Sequence, residues 1–126
     1  MSLEQIVRIS LWITAPFNLI AAYAFAFPES GLGQILGLPY PSHPLFTLFS
    51  GSMVGLFGVM YAWLALQDTI VRPVLAFGAT GKTIAVAIAL YLYLGGLLSS
   101  TLILLVSGDL IFAALWFYYL TSRRAL

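Results

Sequence analysis

Cysteine is absent from this chain and charge is almost absent, with 7% of its 126 residues Asp, Glu, Lys or Arg. Without cysteine there is no disulfide, no thiolate metal site and no cysteine nucleophile. A soluble domain carries about 25% charged residues, so a set this sparse cannot hydrate a whole surface. A net charge of +1 with no basic tract offers nucleic acid nothing to grip, and no nucleic-acid partner is expected. Histidine occurs once, at His43. One histidine with no second ligand nearby reads as a wet interfacial residue, and no metal, haem or other cofactor is expected. Catalytic chemistry has little to draw on. Glu4, Glu29 and Asp68 lie near the edges of apolar runs, and Ser50, Ser52, Ser99 and Ser100 have no histidine base at a matching depth.

What remains is apolar: 62% of the residues are hydrophobic and the mean hydropathy is +1.05. A helix needs about 20 mostly apolar residues to cross a hydrocarbon core about 30 Å thick. Four segments meet that length, at about 5–27, 45–66, 73–94 and 98–120. They predict a single all-α domain, a four-helix transmembrane bundle in contact with the lipid bilayer. The first run is too long for a signal peptide, and Glu4 stands where positive charge is expected, so it is read as a retained span. Pro16 lies inside this span and predicts a freed carbonyl near Trp12. Pro73 opens the third span at a position where its missing N–H is not needed. The segment 28–44 (PESGLGQILGLPYPSHP) is too apolar for a free loop and is expected at the membrane interface, with a helical turn through Gly33–Leu36.

With four spans, the N-terminus, the Gln67–Arg72 loop and the C-terminus share one side. Arg8, Arg72, Arg123 and Arg124 lie there, and the opposite loops contain no Lys or Arg. By the positive-inside rule that side is the cytoplasm, giving an N-in/C-in topology. Trp63 and the run Trp116–Tyr119 are expected at the inner interface, and Tyr23, Tyr40, Tyr91 and Tyr93 at the outer one.

The third span contains FGATGKT, Phe77 to Thr83, whose ending resembles a phosphate-binding loop. Such a loop needs glycine five residues before Gly81, and Ala76 stands there; it also needs a preceding strand. Lys82 is ten residues past Arg72, which at helical rise is about 15 Å into the bilayer. Phosphates do not sit at that depth, and a nucleotide role is excluded.

A lysine near the midplane costs about 2.5–3.5 kcal/mol and calls for a partner or a path to water. Asp109 is the candidate. Lys82 is fifteen residues before Leu97 and Asp109 twelve after it, so their depths differ by about 4–5 Å, within reach of a lysine stem. Asn18 lies at a similar depth in the first span, one turn from Thr14. Asn18, Thr14, Lys82 and Asp109 are therefore expected to form a buried polar layer. Gly51, Gly55 and Gly58 form a small-residue stripe on the second span, and Gly78 and Gly81 do so on the third; both suit close helix contact, within the chain or with another subunit.

The chain is similar to small four-span bacterial membrane proteins and is loosely DoxX-like. The resemblance is carried by Pro16-Phe17-Asn18, Phe25 to Pro28, Gly37-Leu38-Pro39, Gly58 to Tyr61, Gly81-Lys82 and Gly108-Asp109. It implies a multi-pass protein of a bacterial inner (cytoplasmic) membrane and no particular activity. The quinone-dependent sulfur oxidation linked to DoxX proteins has no motif here. Two functions stay open: a non-enzymatic subunit, a homo-oligomer or an accessory part of a membrane complex with other subunits, or a small transporter or module binding a lipid or quinone at the polar layer.

Overall fold

A computed structural model of the chain describes residues 1–122, so Arg123 and Arg124 of the expected basic side lie outside the described residues. Five helices follow one another: α1 (Leu3–Ala26), α2 (Gly31–Leu36), α3 (Pro44–Leu66), α4 (Arg72–Leu94) and α5 (Ser100–Ser122). No strand occurs among the described residues. Four of the helices are long and apolar enough to cross a membrane, so the chain has the architecture of a four-span membrane bundle. The helix ends sit within two or three residues of the expected spans. Ser2 and Gln5 close a capping box on α1, which runs through Pro16 without a break.

The helices are tied in two antiparallel hairpins, α1 with α3 and α4 with α5. The first is a close backbone packing. A Cβ at Gly51 would lie 2.6 Å from the Ala26 Cβ and 2.7 Å from the Ala22 carbonyl oxygen. At Gly58 a Cβ would lie 3.0 Å from the Asn18 Cβ, and at Gly55 3.3 Å from the Ala22 Cβ. The glycine stripe of α3 is thus consumed inside the chain, against the alanines of α1. The seam between α3 and α4 works differently: it is filled by rings. Phe57 stacks on Phe77 at 5.5 Å between centroids, and Gly81 and Gly78 leave the space taken by Phe57 and Tyr61 respectively.

Most of the core gathers in the half of the bundle that holds the N-terminus. Val7, Leu11, Ala15, Tyr61, Leu64, Leu75, Ala79, Trp116 and Tyr119 form it. The interface expectation therefore fails for Trp116 and Tyr119: both are buried, whereas Trp63 and Tyr118 are exposed. A run of four aromatics on a helix necessarily turns some of its members inward. A smaller cluster of Ala24, Leu38 and Leu102 closes the opposite end. There the expected helical turn is α2, which Gly37 ends in a left-handed conformation (φ 71°). Ser99 Oγ donates to the Leu36 carbonyl at 2.9 Å and accepts from Leu102 N at 3.1 Å, joining α2 to the start of α5. Outward, Phe49, Leu56, Phe77, Ile84, Leu104 and Ile111 are 54–73% exposed. A surface of this kind faces hydrocarbon, not water.

Both arginines of the described termini end are structural caps. Arg8 reaches from α1 to the end of α3, where Nη1 donates to the Ala65 and Gln67 carbonyls at 2.6 Å each and Nη2 to that of Asp68 at 3.3 Å. Arg72 donates to the Leu120 carbonyl near the end of α5 and lies over the Tyr119 ring. Cations at helix C-termini satisfy orphan carbonyls and oppose the helix dipole. Two variants test this packing by detergent-micelle unfolding followed by circular dichroism. Gly51→Leu is expected to destabilise by about 3 kcal/mol through backbone displacement, and Arg8→Met by about 2 kcal/mol through lost charge-assisted bonds. Unchanged unfolding in either variant contradicts the corresponding contact.

Candidate functional site

FGATGKT lies wholly on α4, and its lysine points into the bundle. Lys82 Nζ stands 2.8 Å from Asp109 Oδ1 on α5, and this is the one salt bridge among the described residues. Three rings surround the same ammonium: Tyr61 from α3 at 5.0 Å, and Phe112 and Trp116 from α5 at 5.5 and 5.7 Å to their centroids. A cation over an aromatic face is held by the ring quadrupole, by about 2 kcal/mol or more when water is excluded. Lys82 is 3% exposed and Asp109 32%. The pair is asymmetric, with an enclosed cation and an accessible anion.

Trp116 carries the site on to the first hairpin. Its Nε1 donates to Ser10 Oγ on α1 at 2.8 Å, and Ser10 in turn donates to the Val7 carbonyl. Tyr61 and Ser10 are members of this cluster that residue types and depth did not single out. Ser10 does carry a signal: Ser10, Thr14 and Asn18 recur every four residues and so share one face of α1, where Ser10 and Thr14 are buried. Tyr61 carries a weaker one, lying three residues past Gly58 beside the glycine stripe of α3.

The expected layer is corrected at Asn18. Its Nδ2 donates to the Val54 carbonyl of α3 at 3.0 Å, and it makes no hydrogen bond to Lys82 or Asp109 among the described residues. Depth was matched, but direction was not. Gly58 brings α3 so near that a Cβ there would touch the Asn18 Cβ, and the α3 backbone is the nearest acceptor. Thr14 is buried one turn below Asn18. The structure therefore joins Lys82 with Asp109 and places Asn18 in the α1–α3 seam. The expected glycines divide likewise, Gly51, Gly55 and Gly58 into that seam and Gly78 and Gly81 against the rings of α3.

Two shallow clefts lie away from the pair, beside the segment that includes α2. One of about 200 Å³ is lined by residues including Phe25, Leu38, Phe46 and Ser50. The other, about 360 Å³, includes Phe27, Glu29, Tyr40 and Leu48. Neither is lined by Asn18, Lys82 or Asp109. His43 caps α3, its Nδ1 accepting from Leu45 N at 3.1 Å, and is exposed. Among the described residues no group of three or more His, Asp or Glu is placed to hold a metal ion.

The asymmetry of the pair has a measurable consequence. Asp109→Leu leaves an ammonium enclosed by three rings without a counter-charge, and is expected to cost about 3 kcal/mol. Lys82→Met leaves the more accessible carboxylate and costs less. The double variant Lys82→Met/Asp109→Leu is expected to recover most of the loss of Asp109→Leu, since both charges are gone. Unfolding in mixed micelles gives all three values, and additive losses contradict the coupling. No protein-family model, curated protein or solved structure matches this chain.

Proposed function

We propose that this chain is a non-enzymatic integral membrane protein, working as an oligomer or as an accessory subunit of a membrane complex, with the Lys82–Asp109 pair holding its bundle together. One observation carries this: Lys82 is enclosed entirely by groups of its own chain, Asp109 and three rings. A charge so occupied serves helix association rather than substrate handling. The remaining polar side chains support the same role. Arg8, Asn18, Arg72 and Ser99 each donate to backbone carbonyls of a neighbouring element, which leaves the apolar outer faces as the surface for partners. Native mass measurement in mild detergent is expected to give a multiple of the 13.7 kDa chain or an assembly with other membrane subunits. An isolated monomer alone overturns the subunit role.

The same proposal places the protein in a bacterial inner membrane with both termini cytoplasmic. Arg8 and Arg72 stand at the termini end, and segments 27–43 and 95–99 contain no Lys or Arg, the asymmetry that sets orientation. The absence of cysteine makes the topology easy to measure. Ser42→Cys is expected to react with a membrane-impermeant maleimide in intact spheroplasts, and Ser2→Cys only after permeabilisation. The reverse pattern overturns the orientation.

A further inference from the structure

Asp109 is the half of the ion pair that the bundle does not close over. Its Oδ1 receives the Lys82 ammonium at 2.8 Å, whereas Oδ2 takes part in no hydrogen bond among the described residues, and the side chain is 32% exposed. It sits about half-way along α5, at hydrocarbon depth, where an acceptor without a donor is costly. Beside it lies Gly108. A Cβ there would meet nothing within 4 Å, whereas at Gly51, Gly55, Gly58, Gly78 and Gly81 it would meet a neighbouring helix. The exposed neighbours on the same side of α5 are Leu104, Leu105 and Ile111, three or four residues from Gly108. A free acceptor oxygen, adjacent open space and an apolar surround thus coincide at one place.

Charge and donor count select what fits there. Lys82 and Asp109 together are neutral, so a cationic ligand would leave a net charge in hydrocarbon, and an anion would meet a carboxylate. A ketone or an ether brings only acceptors to an acceptor. A neutral hydroxyl donates one hydrogen bond to the carboxylate and leaves the site neutral. We propose that Asp109 Oδ2 and the space beside Gly108 form a lateral, lipid-facing site for a neutral hydroxyl-bearing lipophile, of the class of long-chain alcohols and diacylglycerols. The ligand enters from the bilayer, and its hydrocarbon part lies along Leu104, Leu105 and Ile111. This site is independent of any subunit role.

The test uses the full chain in phosphatidylcholine nanodiscs with a diazirine-bearing hexadecanol as the probe. Photolabelling is expected within 100–122, and 1-hexadecanol is expected to compete at least about tenfold better than its methyl ether, the worth of one hydrogen bond to a charged acceptor. Hexadecylammonium is expected to compete no better than the ether. Gly108→Leu fills the open space without touching the pair, so it is expected to lose the labelling while its unfolding midpoint does not fall. Equal competition by alcohol and ether means simple partition into the apolar surface and overturns the site. So does stronger competition by the ammonium, or undiminished labelling of folded Gly108→Leu. The competition ratio is read on the unmodified chain and decides the matter even if that variant does not fold.

Discussion

An ammonium in hydrocarbon must find its counter-charge and its electron-rich neighbours within the chain, and Lys82 imposes that demand on the two helices that enclose it, α3 and α5. The lysine comes from α4, its carboxylate and two of its rings from α5, and the third ring from α3. One of those rings, Trp116, then needs a partner for its indole N–H and finds it on α1. Satisfying one charge therefore draws groups from all four long helices. In water such a pair would be worth little. At this depth the alternative is an uncompensated charge, and the geometry that avoids it is correspondingly restricted.

The first hairpin and the seam that joins it to the second are held by opposite devices. Between α1 and α3, side chains are removed: alanine faces glycine, backbones come close, and an amide bridges from Asn18 to the α3 carbonyl of Val54. Between α3 and α4, side chains are inserted, and the glycines of α4 serve as recesses for Phe57 and Tyr61. Hydrocarbon solvent makes both necessary. Helices gain nothing from hiding apolar surface that lipid covers equally well, so association rests on close packing and on polar groups with no better partner. The few polar side chains follow that rule, and the arginines at the termini end are used on the carbonyls that helix ends leave unpaired.

The spans were legible because length and hydropathy alone decide whether a segment crosses a bilayer, and α1, α3, α4 and α5 begin and end close to where that criterion put them. Lys82 and Asp109 could be paired because residue counts from a common turn fix depth along two adjacent antiparallel helices. The same arithmetic misled at Asn18. Depth is one coordinate and direction around the helix is another, and α3 was close enough to take the amide first. Trp116 and Tyr119 were misplaced for a related reason: aromatic residues near a span end suit the interface, but the inward side of a helix is core at every depth. Tyr61 was not singled out, since the glycine stripe marks the α1-facing side of α3 and Tyr61 lies beside that stripe, turned toward α4 and α5.

Glycine and charge, the two scarce features inside these spans, obey one accounting. Each costs something where it stands, glycine in helix propensity and charge in desolvation, so each requires a contact that offsets it. For Gly51, Gly58, Gly78 and Gly81 that contact is a neighbouring helix pressed into the missing side chain. For Lys82 it is Asp109 and the rings. The account closes inside the chain everywhere along α1, α3 and α4, and stays open at two adjacent residues of α5, Gly108 with empty space beside it and Asp109 with an unused oxygen. Open space next to an acceptor oxygen is a single deficit, not two, because one molecule can supply both the volume and the proton. The packing of this bundle thus points away from its sealed centre and toward the lipid-facing edge of its fourth span.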